Sequence, residues 1–269
     1  MKTISIVTGA SSGIGKEFVR LLFKKGTVDE LWLIARRKDK LEELTGELKA
    51  TGSEQDFPVL RILALDISGS SGAKAVGDLI KKTAAAGGIT IRMLINGAGF
   101  GTYGTFESTD LDRELDMIEL NCVTLTALCG YTLPYMQQNS IIINIASLAS
   151  FLPLGNFAVY GATKSYVLSF SLALAAETAD RGIRICALCP GPVNTEFAQV
   201  ASNGARTEVL HGLPADKVAA HCLHRAERGK HTAIMAFKWK FKAAASRFVG
   251  RYAGARFTYK YCKRPSNPQ

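Results

Sequence analysis

Seven short runs of consecutive apolar residues recur along the chain, at positions 4–8, 31–35, 60–65, 93–96, 141–145, 183–189 and 232–236. Between them lie stretches with helical spacing of apolar and polar positions, at 15–25, 38–51, 72–85, 111–136, 158–181 and 215–228. Continuous apolar strands alternating with amphipathic helices predict a parallel sheet covered on both faces. Right-handed crossovers make this an α/β, doubly wound sheet of about seven strands. In such sheets a ligand binds beyond the carboxyl ends of the strands. The pattern is interrupted only near 51–58 and after residue 236, and nothing in it resembles an interdomain linker. The expectation is a single catalytic domain at 1–236, with a substrate loop at about 193–214, followed by a tail at 237–269.

The unusual residues fall at the predicted strand ends. After the first strand comes Thr8-Gly9-Ala10-Ser11-Ser12-Gly13-Ile14-Gly15, which leads into a helix. Glycine allows a tight turn and close approach of backbone to a ligand. The start of a helix offers unpaired N–H groups and a positive dipole end, which suit a pyrophosphate. A purely structural glycine turn is the competing reading. The spacing TGxxxGxG resembles the signature of the classical short-chain dehydrogenase/reductase family. That resemblance implies a Rossmann-type fold and a nicotinamide dinucleotide held by Gly9, Ser11, Ser12, Gly13, Ile14 and Gly15.

The second strand ends in Ala35 and is followed by Arg36-Arg37-Lys38, with no acidic residue to meet a ribose 2′-hydroxyl. An arginine fork suits a 2′-phosphate, so Arg36 and then Arg37 point to NADP(H). A solvated helix start is the alternative. By resemblance, Asp66 and Ile67 hold the adenine, and Asn96-Gly97-Ala98-Gly99 lies along the cofactor. Gly97 stands where the family carries a second asparagine that steadies the central sheet. Pro190-Gly191-Pro192-Val193-Asn194-Thr195 resembles the segment that contacts the nicotinamide, with Pro190, Gly191, Val193 and Thr195 as its contacts.

Tyr160-Gly161-Ala162-Thr163-Lys164 opens a long helical stretch. Residues four apart share a helix face. An ammonium beside a phenol favours the phenolate, so Lys164 is expected to lower the pKa of Tyr160 and make it a proton-transfer group. Such a pair alone occurs on many surface helices. The resemblance adds Ser147, thirteen residues before Tyr160, to hold the substrate oxygen. It also adds Asn121, to hold a water that connects Lys164 to solvent. Tyr160 and Lys164 would contact the cofactor as well.

The formal net charge of +10 is concentrated at one end. Ten Lys or Arg and no acidic residue fall within 230–269, so 1–229 is balanced. The body therefore gives no sign of binding nucleic acid. The tail segment Phe237-Lys238-Trp239-Lys240-Phe241-Lys242 alternates aromatic and basic residues, with helix-like sequence to Tyr252. An anionic membrane surface, an acidic acyl carrier, nucleic acid and a packed helix with solvated cations all fit the segment, of which the packed helix leads and nucleic acid is not expected. Six cysteines in this length do not suggest a disulfide framework, and Cys186 and Cys189 on one strand would face opposite sides. His211, His221, His224 and His231 lack a familiar metal spacing, so no metal is expected. The absence of a leader or a long apolar span suggests a cytoplasmic protein.

Candidate pocket residues after strand four (Phe100, Tyr103, Phe106), in the loop before Tyr160 (Leu148, Phe151, Leu152, Leu154, Phe157) and after Thr195 (Phe197, Val200) include no Arg or Lys. The expected function is an NADP(H)-dependent oxidoreductase that interconverts a carbonyl and a secondary alcohol on a mostly apolar small molecule. The ketone or hydroxysteroid type leads, and the protein is expected to be a homo-oligomer. A 3-oxoacyl thioester reductase and a non-catalytic NADP-sensing regulator are the alternatives.

Overall fold

The computed structural model describes residues 1–50, 57–209 and 211–267. Seven parallel strands form one sheet: β1 (Lys2–Thr8), β2 (Glu30–Ala35), β3 (Val59–Ala64), β4 (Ile89–Asn96), β5 (Ile141–Ile145), β6 (Arg184–Leu188) and β7 (Thr232–Ala233). Their order is β3-β2-β1-β4-β5-β6-β7, so the chain reverses direction across the sheet between β1 and β4. This is the doubly wound arrangement that the sequence predicts.

Alternation along each strand builds two cores. Ile4 and Ile6 of β1 and Ile185 and Ala187 of β6 face helices α3 (Gly69–Ala85), α5 (Leu125–Thr132) and α6 (Ala158–Glu177). Val7, Leu31, Leu33 and Leu188 face α1 (Gly13–Lys25), α2 (Lys38–Ala50) and, after the short α7 (Phe197–Ala201), α8 (Ala215–Glu227). Cys186 belongs to the second core and Cys189 to the first, as opposite faces of one strand require.

Several boundaries differ from the pattern, and four of the differences bear on the cleft, the sheet edge or the tail. First, α1 begins at Gly13, inside the glycine turn. Second, the predicted helix at 111–136 is α4 (Leu111–Ile118), a π-helical turn (Glu119–Thr124) and then α5. The wider turn adds a residue that hydrophobic spacing does not reveal. Third, β7 has only two residues. Fourth, the tail forms two helices, α9 (Phe237–Ala245) and α10 (Arg251–Tyr261), with extended Val249 between them. The second helix thus runs well beyond Tyr252.

The tail is docked on the body. The Asn156 Nδ2 donates to the carbonyls of Tyr259 (3.0 Å) and Thr258 (3.3 Å), and the Gly155 N–H donates to Thr258 Oγ1 (2.8 Å). A Cβ on Gly155 would lie 2.4 Å from Tyr259 Cβ, so only glycine admits α10 at this distance. Phe237, Phe241, Phe248 and Tyr252 remain exposed on the outside. No helix of the described residues is long and apolar enough to cross a membrane.

Candidate active site

A cleft of about 1160 Å³ opens beyond the carboxyl ends of β1, β4, β5 and β6. Gly9, Ser11, Ser12, Gly13, Ile14 and Gly15 line one end. Gly9 and Gly13 have φ of +67° and +53°, a conformation that favours glycine. A Cβ on Gly15 would stand 2.2 Å from the Gly9 carbonyl oxygen, and one on Gly9 would stand 2.7 Å from Gly97. The turn can therefore fold flat against the β4 end, leaving the first amides of α1 at the cleft. Ser12 caps α1 in an extended conformation, with no side-chain hydrogen bond to fill that place. These features fit a dinucleotide pyrophosphate.

Arg36, Arg37, Asp66 and Ile67 line the same end. Arg36 is exposed, 3.9 Å from Asp66. Arg37 reaches across to Glu196 (2.9 Å) and lies 3.4 Å from Ser11 Oγ. On the far wall stand Gly97, Ala98, Pro190, Gly191, Val193 and Thr195. Asn96 is a correction. Its side chain is buried and turned away from the cleft, with Nδ2 donating to Asn144 Oδ1 at 2.8 Å. Asn144 Nδ2 in turn donates to Ser171 Oγ at 2.9 Å. This chain of amides ties β4, β5 and α6 together, the steadying work expected of the asparagine that Gly97 replaces. A Cβ on Gly97 would lie 2.6 Å from the Thr8 carbonyl oxygen.

Tyr160 sits in the first turn of α6, buried, with its ring stacked on Phe157 at 4.1 Å and tilted against Phe197 at 5.3 Å. Ser147, two residues beyond β5, lines the cleft near the Tyr160 phenol and accepts the Ala149 N–H at 3.1 Å. Lys164, one turn further along α6, is buried and donates to the Ile145 carbonyl at 2.7 Å. Its Nζ is 5.7 Å from the Tyr160 ring. Asn121 lies in the π-helical turn. Its Nδ2 donates to the Phe100 carbonyl (3.0 Å) and Thr163 Oγ1 (3.2 Å), and its Oδ1 accepts the Phe100 N–H (3.2 Å). Asn121 thus clamps the turn after β4 to α6. A Cβ on Gly99 would meet Asn121 Oδ1 at 2.7 Å and Lys164 Nζ at 3.6 Å, so all three converge.

The electrostatics correct one expectation. Burial is the largest influence on Tyr160 and pushes its phenol well above the usual range, against a lowering by the nearby Ser147 hydroxyl. Burial also brings Lys164 down to about 8. The Lys164 ammonium is directed at the Ile145 carbonyl and does not offset the loss of water around the phenol. The cation that does act on Tyr160 is Arg264, from the tail.

Of the ten candidate pocket residues, nine line the cleft and Phe106 does not. The tail adds residues that the sequence did not place there. Trp239, Lys242 and Thr258 join the lining, and Arg264 brings a guanidinium that the apolar set lacked. The Trp239 indole lies against Gly191, where a Cβ would be 2.7 Å away, and its N–H finds no partner among the described residues. The basic, aromatic composition of the tail was visible, but its docking on Gly155 and Gly191 depends on contacts far apart in sequence.

Comparison with known proteins agrees with this geometry. A family model described as short chain dehydrogenase matches residues 3–205. The NADP-dependent 3-hydroxy acid dehydrogenase of Schizosaccharomyces pombe is 37% identical over 207 residues, 76% of each chain. The human very-long-chain 3-oxoacyl-CoA reductase is 32% identical over 203 residues, 73% of this chain and 61% of that protein. Among solved structures, a short-chain dehydrogenase from Sphingobium yanoikuyae in complex with NADPH superposes with a TM-score of 0.75 at 26% identity, covering 92% of this chain and 94% of that one. The strand order, the glycine turn, the Ser147–Tyr160–Lys164 group and these likenesses together make this chain an oxidoreductase of the classical short-chain dehydrogenase/reductase family.

Proposed function

We propose that the chain reduces a carbonyl on a small molecule with NADPH, using Tyr160 as the proton donor. The single observation that carries this reading is geometric: the Tyr160 phenol lines the cleft together with Ser147 and with Lys164, which stands one turn along the same helix. A protonated phenol is a general acid, and carbonyl reduction needs one. The nicotinamide supplies the hydride to the carbonyl carbon when it is bound. Tyr160 gives its proton to the oxygen as the C–H bond forms, and the Ser147 hydroxyl holds that oxygen in place. Lys164, Val193 and Thr195 hold the nicotinamide end. Asn121 fixes the turn that carries Phe100. Oxidation of the alcohol runs the same transfers in reverse.

Arg36 and Arg37 support the preference for NADPH, since both stand at the β2 end with exposed guanidiniums that a 2′-phosphate can pair with. The name of the fission-yeast relative and the NADPH in the Sphingobium structure support the same choice. The aromatic walls favour a compound with a substantial apolar part. A 3-oxoacyl thioester is the second reading, supported by the name of the human relative.

The test is NADPH and NADH oxidation with a panel of oxo acids, simple ketones, steroid ketones and 3-oxoacyl thioesters. NADPH should be the better cofactor. Tyr160→Phe should lose about 10²–10⁴-fold in rate while NADPH binding, followed by its fluorescence, is kept. A variant as fast as wild type would remove Tyr160 from the chemistry.

A further inference from the structure

Arg264 follows α10 and lines the cleft. Its guanidinium carbon stands 5.0 Å from the centre of the Phe157 ring and 5.9 Å from that of Tyr103. Phe157 is the ring that stacks on Tyr160. A guanidinium has five N–H donors and does not give up its charge. The hydrogen bond that Arg264 makes, from Nη1 to the Gly155 carbonyl, is 3.4 Å long. Arg264 takes part in none of the ion pairs among the described residues. Burial lowers its pKa, as expected of a charge drawn out of water.

A second cation stands beside it. The guanidinium carbon of Arg206 is 5.6 Å from the same Tyr103 ring, and its Nη2 donates to the Lys263 carbonyl at 3.4 Å. Two like charges around one aromatic ring disfavour each other, and neither has a carboxylate from the described residues. Two carboxylates of the cleft are engaged elsewhere. Asp110 accepts the Arg113 N–H at the start of α4, and Glu196 pairs with Arg37. Half-buried, weakly bonded cations of this kind are stabilised when an anion arrives.

We propose that Arg264 is an anion subsite of the substrate pocket, and that the compound turned over there carries a carboxylate a few bonds from its reacting carbon. The inference rests on the carbonyl-reductase reading and narrows it from any apolar ketone to an oxo or hydroxy acid. A planar carboxylate matches the guanidinium fork. The distance also favours it: Arg264 and Tyr160 pack on the same Phe157 ring, so an anion at one and a carbonyl at the other belong to one short molecule. The phosphates of a carrier thioester lie many bonds from its carbonyl.

The experiment pairs each six-carbon 2-, 3- and 4-oxo acid with its methyl ester and includes a 3-oxoacyl-CoA, using wild type, Arg264→Met and Arg264→Lys with NADPH. The wild type should prefer an acid to its ester. Arg264→Met should lower kcat/KM for the acid by about 10- to 100-fold more than for the ester, mostly through KM, since any effect on Tyr160 falls on both compounds alike. Arg264→Lys should recover part of the loss. A second readout needs no turnover: hexanoate should bind the NADPH-loaded wild type at least about tenfold more tightly than hexanamide, and equally in Arg264→Met. Acid and ester used alike by wild type, an equal loss for both in the variant, or no discrimination in hexanoate binding would overturn the subsite. A loss confined to the thioester would place a carrier phosphate there instead and overturn the carboxylate. No turnover of any compound, with hexanoate still discriminated, would overturn the reductase reading and keep the anion site.

Discussion

Lys164 holds its ammonium where water does not follow, and its pKa falls from 10.5 to about 8. The sign of the linkage is fixed. Between those values the unfolded chain binds a proton that the folded chain does not, so this residue's contribution improves as pH rises and is lost as pH falls through about 8. At neutral pH it costs about 3 kcal/mol. Lys164→Met removes that cost and also leaves the Ile145 carbonyl unpaired, a loss independent of pH. The stability difference between variant and wild type should therefore shift by about 3 kcal/mol against the variant from pH 8 to 10.5, as read from urea unfolding. A difference that stays flat would show that the lysine is not buried as a strained cation. The same residue measures what sequence can reveal. Tyr160, Lys164 and Ser147 were legible because spacing on a helix and at a strand end fixes which side chains meet. Asn96 was misplaced because its motif gives a backbone position, and the partners Asn144 and Ser171 that turn its side chain inward lie 48 and 27 residues away from their respective neighbours. The pKa of Tyr160 was misjudged because spacing reports who is near and not how much water is lost.

At the scale of elements, the strands and most helices followed from periodicity, and the π-helical turn and the tail did not. A π turn inserts a residue without changing composition. The tail helices owe their position to two glycines on the body, Gly155 and Gly191, that let Tyr259 and Trp239 approach. Gly155→Ala puts a methyl 2.4 Å from Tyr259 Cβ and 2.6 Å from its Cα, and neither atom can swing away as a side-chain end can. Such overpacking costs about 1–3 kcal/mol, concentrated where α10 docks. Trypsin should then cut the Lys- and Arg-rich tail about tenfold faster than in wild type, with the sheet intact by circular dichroism. An unchanged cleavage rate would mean that α10 is held by something other than this contact. Local sequence suggests an apolar pocket because its cation, Arg264, arrives just beyond α10, the element whose docking is hardest to read.

Across the whole molecule the two cores carry four of the six thiols, and Cys122 lies partly buried beside them. Cys122 is pushed up to about 11, Cys129 and Cys189 to about 12, and Cys222 well above the ordinary value of 9.0, in every case with burial as the largest cause. Folded thiols therefore keep protons that the unfolded chain releases from about pH 9 upward. The folded state binds more protons there, so stability falls with rising pH, and Tyr160 acts in the same direction once unfolded tyrosine ionises. Lys164 opposes them as a single group, and only up to about 10.5. Each unopposed proton changes stability by about 1.4 kcal/mol per pH unit, so between pH 10 and 11 the net loss is on the order of 4 kcal/mol. Against a total stability of about 5–15 kcal/mol, that is enough to bring alkaline unfolding into this range. Urea or thermal unfolding from pH 8 to 11 should show a steepening decline beginning near pH 9. A disulfide-exchange reagent at pH 8 should react rapidly with exposed Cys262 and only slowly with the buried thiols until the chain unfolds. Rapid reaction of four or more thiols in the native protein would place those cysteines at the surface, and the alkaline decline would lose its cause. The alternation that builds the doubly wound sheet is thus also what sets its upper pH limit, since it delivers Cys222 to one core and Cys129 and Cys189 to the other.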